Sequence, residues 1–252
     1  MPERIAIHSC CMEYMRTLPA CSVDSVVTNP PYGTTETGRS KRTLRGGKVV
    51  AFAHEWDQVL PTAWLSEVER LLKPGGAVLA FTDAKRPGDL WEAGESAGLR
   101  ALHTFYWEKP DPPPNPRKNF ASAIEVGVFF RKPGRVLAWN GGGWCRNVFR
   151  APLAHKEQGG QLRHHPTEKP VSLMRWLVKL ATPQGGIVLD PFMGSGTTGV
   201  ACIAEDLGFV GIERDPEYAA IAVARLASAA HGIRPVEVPM QTEMFAVGVS
   251  HA

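Results

Sequence analysis

The sequence is poor in cysteine and shows no pattern among the few it has. Cys10, Cys11, Cys21, Cys145 and Cys202 make an odd number in 252 residues, and no two form a C-x-x-C pair. That argues against a disulfide framework or a zinc cluster and for reduced thiols in a cytoplasmic compartment; no metal site is expected. No apolar run reaches the roughly 18 residues a transmembrane helix needs. Met1-Pro2-Glu3-Arg4 opens without the basic, apolar and small-residue regions of a signal peptide. Long low-complexity tracts and short-period repeats are also missing. What is there, 44% hydrophobic and 21% charged residues, is the composition of an ordinary soluble globular protein rather than a disordered chain, a collagen or a coiled coil. The length suits one or two domains.

A strong excess of charge of either sign is lacking as well, since the net charge is only +3. The balance hides an uneven placement. Residues 37–54 hold Arg39, Lys41, Arg42, Arg45 and Lys48 with no acid, and residues 131–170 hold eight basic residues against two acids. These segments carry +5 and +6, which leaves −8 for the remainder. Basic segments on an acidic body fit an electrostatic footprint for a polyanion; two solvated loops would look the same.

Two stretches share one punctuation. Glu67–Leu72 followed by Lys73-Pro74-Gly75-Gly76, and Leu177–Ala181 followed by Thr182-Pro183-Gln184-Gly185-Gly186, each lead into a short apolar run. Each reads as a helix halted by Pro and Gly, then a strand. Ser25–Thr28 and Phe209–Ile212 are further continuous apolar runs, as expected of strands buried on both faces of a parallel sheet. Strands alternating with helices imply an α/β, doubly wound, mostly parallel architecture. In 170–181, Pro170 suits the first helical position, and Leu173, Met174, Leu177 and Leu180 recur on one face. Residues 136–165, with Gly141-Gly142-Gly143 and weak periodicity, read as an insert. Residues 231–252 read as a loose C-terminal tail.

Three motifs carry chemistry. Val188-Leu189-Asp190-Pro191-Phe192-Met193-Gly194-Ser195-Gly196-Thr197-Thr198 reads as a strand, a two-glycine turn and a helix start. That arrangement offers close backbone approach and free N–H groups to a ligand at the carboxyl end of a parallel strand. It lacks the lysine of a phosphate-binding P-loop. The strand Phe209–Ile212 ends in Glu213, about twenty residues beyond the glycines, where an acid commonly accepts ribose hydroxyls. A nucleoside-containing cofactor follows from the pair. Asp215-Pro216-Glu217 then opens a helix. The third motif, Asn29-Pro30-Pro31-Tyr32, follows the strand Ser25–Thr28. Its prolines donate no hydrogen bond, so the Asn29 amide oxygen and the Pro30 carbonyl can both point as acceptors at one NH₂ group. Tyr32 offers a ring for stacking.

Together these motifs resemble the amino-methylating family of S-adenosylmethionine-dependent DNA methyltransferases. Asn29-Pro30-Pro31-Tyr32 is similar to its (D/N/S)PPY catalytic motif, Asp190–Gly196 to its DPFxGSG loop, and Gly211-Ile212-Glu213 to its ribose strand. His165-Pro166-Thr167-Glu168-Lys169-Pro170 resembles its (H)PTxKP segment. The catalytic motif comes first and the cofactor loop last, as in the permuted β class. The resemblance implies a Rossmann-like methyltransferase sheet with a catalytic half (1–135), a target-recognition insert (136–165), and an S-adenosylmethionine-binding half (166–230). It implies cofactor contacts from Asp190, Pro191, Phe192, Gly194, Ser195, Gly196, Thr197, Glu213, Asp215, Thr167, Lys169 and Pro170. Double-stranded DNA is the implied substrate; a homodimer and a cognate restriction nuclease are partners the family allows. Trp107-Glu108-Lys109-Pro110 with Pro114-Asn115-Pro116-Arg117 resembles the WxK…PNxxR stretch of adenine-specific members. Cys10 stands where many relatives carry an acid.

The expected reaction is site-specific methyl transfer to the N6 amino group of adenine after base flipping, with Arg39, Lys41, Arg42, Arg45, Asn115, Arg117, Arg146, Arg150 and Arg163 meeting DNA. Cytosine N4 is the alternative within the class. An inactive DNA-binding relative of the same fold is a more distant one, disfavoured by the intact Asn29. Glutamine methylation of a protein is disfavoured by the motif order, and a dehydrogenase by the absence of GxGxxG.

Overall fold

The computed structural model describes residues 3–32, 41–43, 49–51, 62–112, 120–154, 167–230, 234–236 and 244–248. In chain order the elements are β1 (Arg4–His8), α1 (Cys11–Thr17), β2 (Val23–Thr28), β3 (Lys41–Thr43), β4 (Val49–Ala51), α2 (Trp64–Leu71), β5 (Leu72–Thr82), α3 (Pro87–Ser96), β6 (Arg100–Glu108), β7 (Ile124–Arg131), β8 (Val148–Arg150), α4 (Val171–Ala181), β9 (Ile187–Asp190), α5 (Thr197–Ala204), β10 (Gly208–Glu213), α6 (Pro216–Ala229), β11 (Arg234–Val236) and β12 (Met244–Gly248).

Ten strands form one sheet in the order β11-β12-β1-β10-β9-β2-β5-β7-β6-β8, and β3 and β4 form a separate hairpin. The five central strands, β1, β10, β9, β2 and β5, run parallel. The antiparallel strands β7 and β6 follow on one side, with β8 parallel to β6 at the margin. This is the expected doubly wound, mostly parallel sheet.

The continuous apolar runs follow from helices covering both faces. Val27, Leu79, Phe81, Val188 and Phe209 point to the face packed by α4, α5 and α6. Their chain neighbours Val26, Val78, Ala80, Leu189 and Ile212 point to the other, with Met15, Trp64, Leu65, Val68 and Leu90 from α1, α2 and α3. The alternation is the two-residue strand period, with each phase meeting its own core. Asp24, at the start of β2, ties this sheet together by accepting from the Ile187 amide and from Lys73 Nζ.

The parallel strands end together. His8 pairs with Glu213, Gly211 with Asp190, and Thr28 with Ala80. The segments leaving β1, β2, β9 and β10 therefore converge at the carboxyl edge, where open α/β sheets bind ligands.

Two expectations need correction. The tail after residue 231 holds two strands: β12 pairs antiparallel with β1, and β11 with β12. Edge pairing is a backbone property and leaves little trace in side-chain pattern. The insert, where described, is fastened to the body. Leu137 N–H donates to Gly75 O, Asn140 Nδ2 donates to the carbonyls of Lys179 and Thr182, and Trp139 stacks on Phe129.

Candidate active site

The turn after β9 is shaped by two glycines in the left-handed region, Gly194 at φ 52° and Gly196 at φ 80°. Gly196 caps α5, and a Cβ there would lie 2.9 Å from the Ala222 methyl. Any other residue would meet both penalties. Asp190, 2% exposed at the end of β9, holds the turn's start. Its carboxylate accepts from Thr28 Oγ1 at 2.6 Å, Thr198 Oγ1 at 2.5 Å and the Phe192 amide at 3.1 Å. Burial pushes its pKa up to about 6, against the opposing pull of those donors.

Glu213 closes the same turn from β10. Its two oxygens accept from the Gly194 and Asp215 amides at 2.9 and 2.8 Å. Burial raises its pKa above the ordinary carboxylate range. Asp215 faces away as the N-cap of α6, accepting from the Glu217 and Tyr218 amides, with Pro216 next. Arg225 of α6 clamps the turn further. Its Nη1 donates to Ser195 O, Ser195 Oγ and Thr197 Oγ1, while its Nη2 pairs with the buried Glu168 at 2.9 Å.

Asn29 follows β2 directly, and its Oδ1 accepts from the Tyr32 hydroxyl at 2.5 Å. Lys169 Nζ reaches that hydroxyl at 3.2 Å and pairs with Glu125 of β7 at 2.8 Å. Lys109 meets the other Glu125 oxygen at 2.9 Å. Burial works to raise the Glu125 carboxyl, but the two lysines overcome it and hold it at about 2.

These groups line one cavity of about 300 Å³, within the size range of small-molecule sites. It unites Asn29, Pro30, Pro31 and Tyr32 with Thr167, Lys169, Asp190–Ser195, Thr197 and Glu213. Of the residues expected there, Gly196, Asp215 and Pro170 do not line it. Gly196 and Asp215 cap helices, and Pro170 caps α4.

Several lining residues escaped sequence reasoning. Cys10 and Cys11, expected to be structural, face the cavity, as do Glu168, Met174, Arg214 and Tyr218. Burial first, and then neighbouring Cys10, pushes the Cys11 thiol up to about 11, so it is a neutral wall. The convergence of the β1 and β10 ends was the signal that could have found Cys10, Cys11 and Arg214.

The basic segments divide. Arg131 donates to Gly75 O, Lys132 to Glu69 O, and Lys169 serves Glu125. Three of the eight positive charges in 131–170 are thus used internally. Arg146 and Arg150 are exposed. Lys41 and Arg42 lie on β3, of which only the backbone is described. Arg39, Arg45, Lys48, Asn115, Arg117, Lys156 and Arg163 lie outside the described residues, as do His165 and Pro166.

Comparison with known proteins agrees with this architecture. Type II methyltransferase M2.DpnII of Streptococcus pneumoniae is 29% identical over 246 residues, spanning 89% of this chain and 90% of its own. Type II methyltransferase M2.MboI of Moraxella bovis is 27% identical, spanning 90% and 87%. The crystal structure of the M1.HpyAVI–SAM complex superposes with a TM-score of 0.66 at 25% identity, over 87% of this chain and 97% of that one. A DNA modification methylase of Thermus thermophilus, TTHA0409, complexed with S-adenosyl-L-methionine, gives 0.58 at 25% identity, over 89% and 95%. The cytosine-N4-specific PvuII DNA methyltransferase shares the fold, with a TM-score of 0.63 at 19% identity over 86% and 84%. The N6/N4 methyltransferase family model, described as DNA methylase, matches residues 23–224; across four-fifths of its length, the chain belongs to that family.

Proposed function

We propose that this DNA methyltransferase moves a methyl group from S-adenosylmethionine to the exocyclic N6 of adenine in double-stranded DNA. The observation that carries the reading is the meeting of Asn29 with the Gly194–Gly196 turn and Glu213 in one cavity. An acceptor suited to an amino group and a cradle suited to a nucleoside share one space.

The residues present fit the cofactor. Each Glu213 oxygen receives one backbone N–H, and an ionised carboxylate has about four acceptor positions. Capacity remains for a vicinal diol. Phe192 lines the cavity as an apolar surface beside it, backed edge-on by Trp64 at 5.6 Å. Asp190 acts by holding the turn. When bound, S-adenosylmethionine supplies an electrophilic sulfonium methyl.

The adenine amino nitrogen is a weak nucleophile because its lone pair is delocalised into the ring. Hydrogen bonds from that NH₂ to Asn29 Oδ1 and the Pro30 carbonyl favour a pyramidal nitrogen and stabilise the positive charge that develops on it. Alignment does the rest, at about 7–11 kcal/mol for a near-attack arrangement. The target base flips out of the duplex, which costs about a few kcal/mol, and Tyr32 stacks on it. Residues 1–135 act as the catalytic half, 136–165 as the recognition insert and 166–230 as the cofactor half. Exposed Arg146 and Arg150 meet phosphate or base edges. The Asn-type NPPY and the Trp107–Lys109 stretch support adenine over cytosine. The same reading carries a cognate restriction nuclease as functional counterpart and self-association of the enzyme, which light scattering on the purified protein measures.

The test is product analysis. Labelled S-adenosylmethionine and unmethylated genomic DNA are incubated with the protein, and the DNA is digested to nucleosides. Label in N6-methyladenine is the expected result. Label in N4-methylcytosine replaces the base, and no label in DNA rejects the activity.

A further inference from the structure

Lys169 belongs to a hydrogen-bonded chain with a fixed direction. The ammonium group sits 5% exposed, enclosed by the rings of Phe81, Tyr32 and Trp107 at 5.0, 5.5 and 6.0 Å. Glu125 anchors it at 2.8 Å and is itself anchored by Lys109 at 2.9 Å. From Lys169 the chain continues to the Tyr32 hydroxyl oxygen at 3.2 Å and from the Tyr32 proton to Asn29 Oδ1 at 2.5 Å.

An ammonium has donors and no acceptor. The Tyr32 oxygen must therefore accept from Lys169, and its own proton goes to Asn29. Asn29 must then present its oxygen to Tyr32. A flipped amide would set N–H against O–H in a secluded pocket, leaving donors unmatched. An amide oxygen has two lone pairs, so with one held by Tyr32 the other remains for the target NH₂. Without Lys169, the Tyr32 hydroxyl could accept from Asn29 Nδ2 instead. The amide would then populate an orientation that offers N–H donors to a target amino group that is itself a donor.

We infer that Lys169, held by Glu125 and Lys109, is a positioning residue that fixes the Asn29 amide with its oxygen toward the target, acting through the Tyr32 hydroxyl rather than by touching the cofactor. This rests on Asn29 being the amino-group acceptor. It also moves Lys169 from the cofactor-binding role that the (H)PTxKP resemblance implies.

The experiment is a double-mutant cycle on the full chain. It measures kcat with labelled S-adenosylmethionine and unmethylated genomic DNA, and measures cofactor Kd by titration calorimetry. Lys169→Met is expected to lower kcat about tenfold or more with cofactor Kd changed less than about threefold. In a Tyr32→Phe background, which keeps the ring and removes the relay, the same substitution is expected to lower kcat less than about twofold. Lys169→Arg keeps the donor-only polarity and is expected to hold kcat within about threefold of wild type. Equal kcat losses in both backgrounds, or a weakened Kd with kcat intact, overturn the inference. Should Lys169→Met fail to fold, Lys169→Arg is measured in both backgrounds; a tenfold kcat loss for Arg in the wild-type background overturns it equally. Asn29→Ala separates the two levels. If it retains turnover the underlying reading fails, and if it is inactive while Lys169→Met turns over normally only the positioning role fails.

Discussion

The hydroxyl of Thr28 donates to the carboxylate of Asp190 at 2.6 Å, joining residues 162 apart in sequence. Thr28 is the last residue of β2 and precedes Asn29; Asp190 is the last residue of β9 and precedes Pro191-Phe192. One carboxylate therefore registers the amino-group acceptor against the glycine turn.

Thr28→Val keeps the shape and removes the donor. Asp190 retains Thr198 and the Phe192 amide, so the loss is one charge-assisted hydrogen bond at a site with 0% exposure. Unfolding in urea is expected to show a loss of about 1–3 kcal/mol. Steady-state assays are expected to show a larger fall in kcat than change in cofactor Kd, because the altered register lies between the two motifs.

The Arg225–Glu168 pair is clamped over Ser195 and Thr197, with side-chain exposures of 13% and 0%. Arg225→Met leaves Glu168 buried without this partner and frees the turn. A stability loss of about 3–5 kcal/mol is expected, with weaker cofactor binding by calorimetry. Adding Glu168→Gln is expected to return part of the stability and none of the cofactor affinity. Full return of both would show that the clamp does not shape the turn.

Stability should carry the mark of Glu125. Its folded pKa, about 2, lies below the ordinary 4.5. Its contribution is present above about 4.5 and is lost as pH falls toward 2. Its side chain is a quarter exposed, so the contribution is set at about 1–3 kcal/mol. Glu125→Gln is expected to be less stable than wild type at pH 7, with the gap closing on acidification. A constant gap in denaturant melts across that range would contradict the charge role.

DNA binding is expected to weaken steeply with salt, since phosphate contacts release counterions. Arg150 lies 67% exposed, with Glu108 3.5 Å away as a weak partner. Arg146→Ala and Arg150→Ala are each expected to reduce the slope of log K against log salt by about one if they meet phosphate. Fluorescence anisotropy at several salt concentrations reads this directly, and unchanged slopes would remove the two arginines from the phosphate contact.

Much of the sheet and of the site was visible in the sequence, for physical reasons that also mark the limits. Val26 and Val27 serve opposite cores, so β2 reads as an unbroken apolar run. Gly196 has to adopt a positive φ, and Asp215-Pro216 is a helix start in any context; such local demands leave local signatures. Glu125 is different. On β7 it looks like a polar residue of a half-buried strand, and its importance depends on Lys109 and Lys169, which only folding brings to it. Charge counting failed in the same way for Arg131 and Lys132, whose partners are Gly75 and Glu69. Cys10 and Cys11 carry no motif, and reach the cavity because β1 pairs with β10 across nearly the whole chain. The strands β11 and β12 rest on backbone pairing to an edge.

The central claim is that chemistry and cofactor binding occupy opposite sides of one cavity, with Asn29 on the chemical side. The most direct test measures methyl transfer to DNA and S-adenosylmethionine binding side by side for Asn29→Ala. Turnover is expected to be abolished while the cofactor Kd stays within about threefold of wild type. Retained turnover, or loss of turnover only through loss of cofactor binding, would contradict the account.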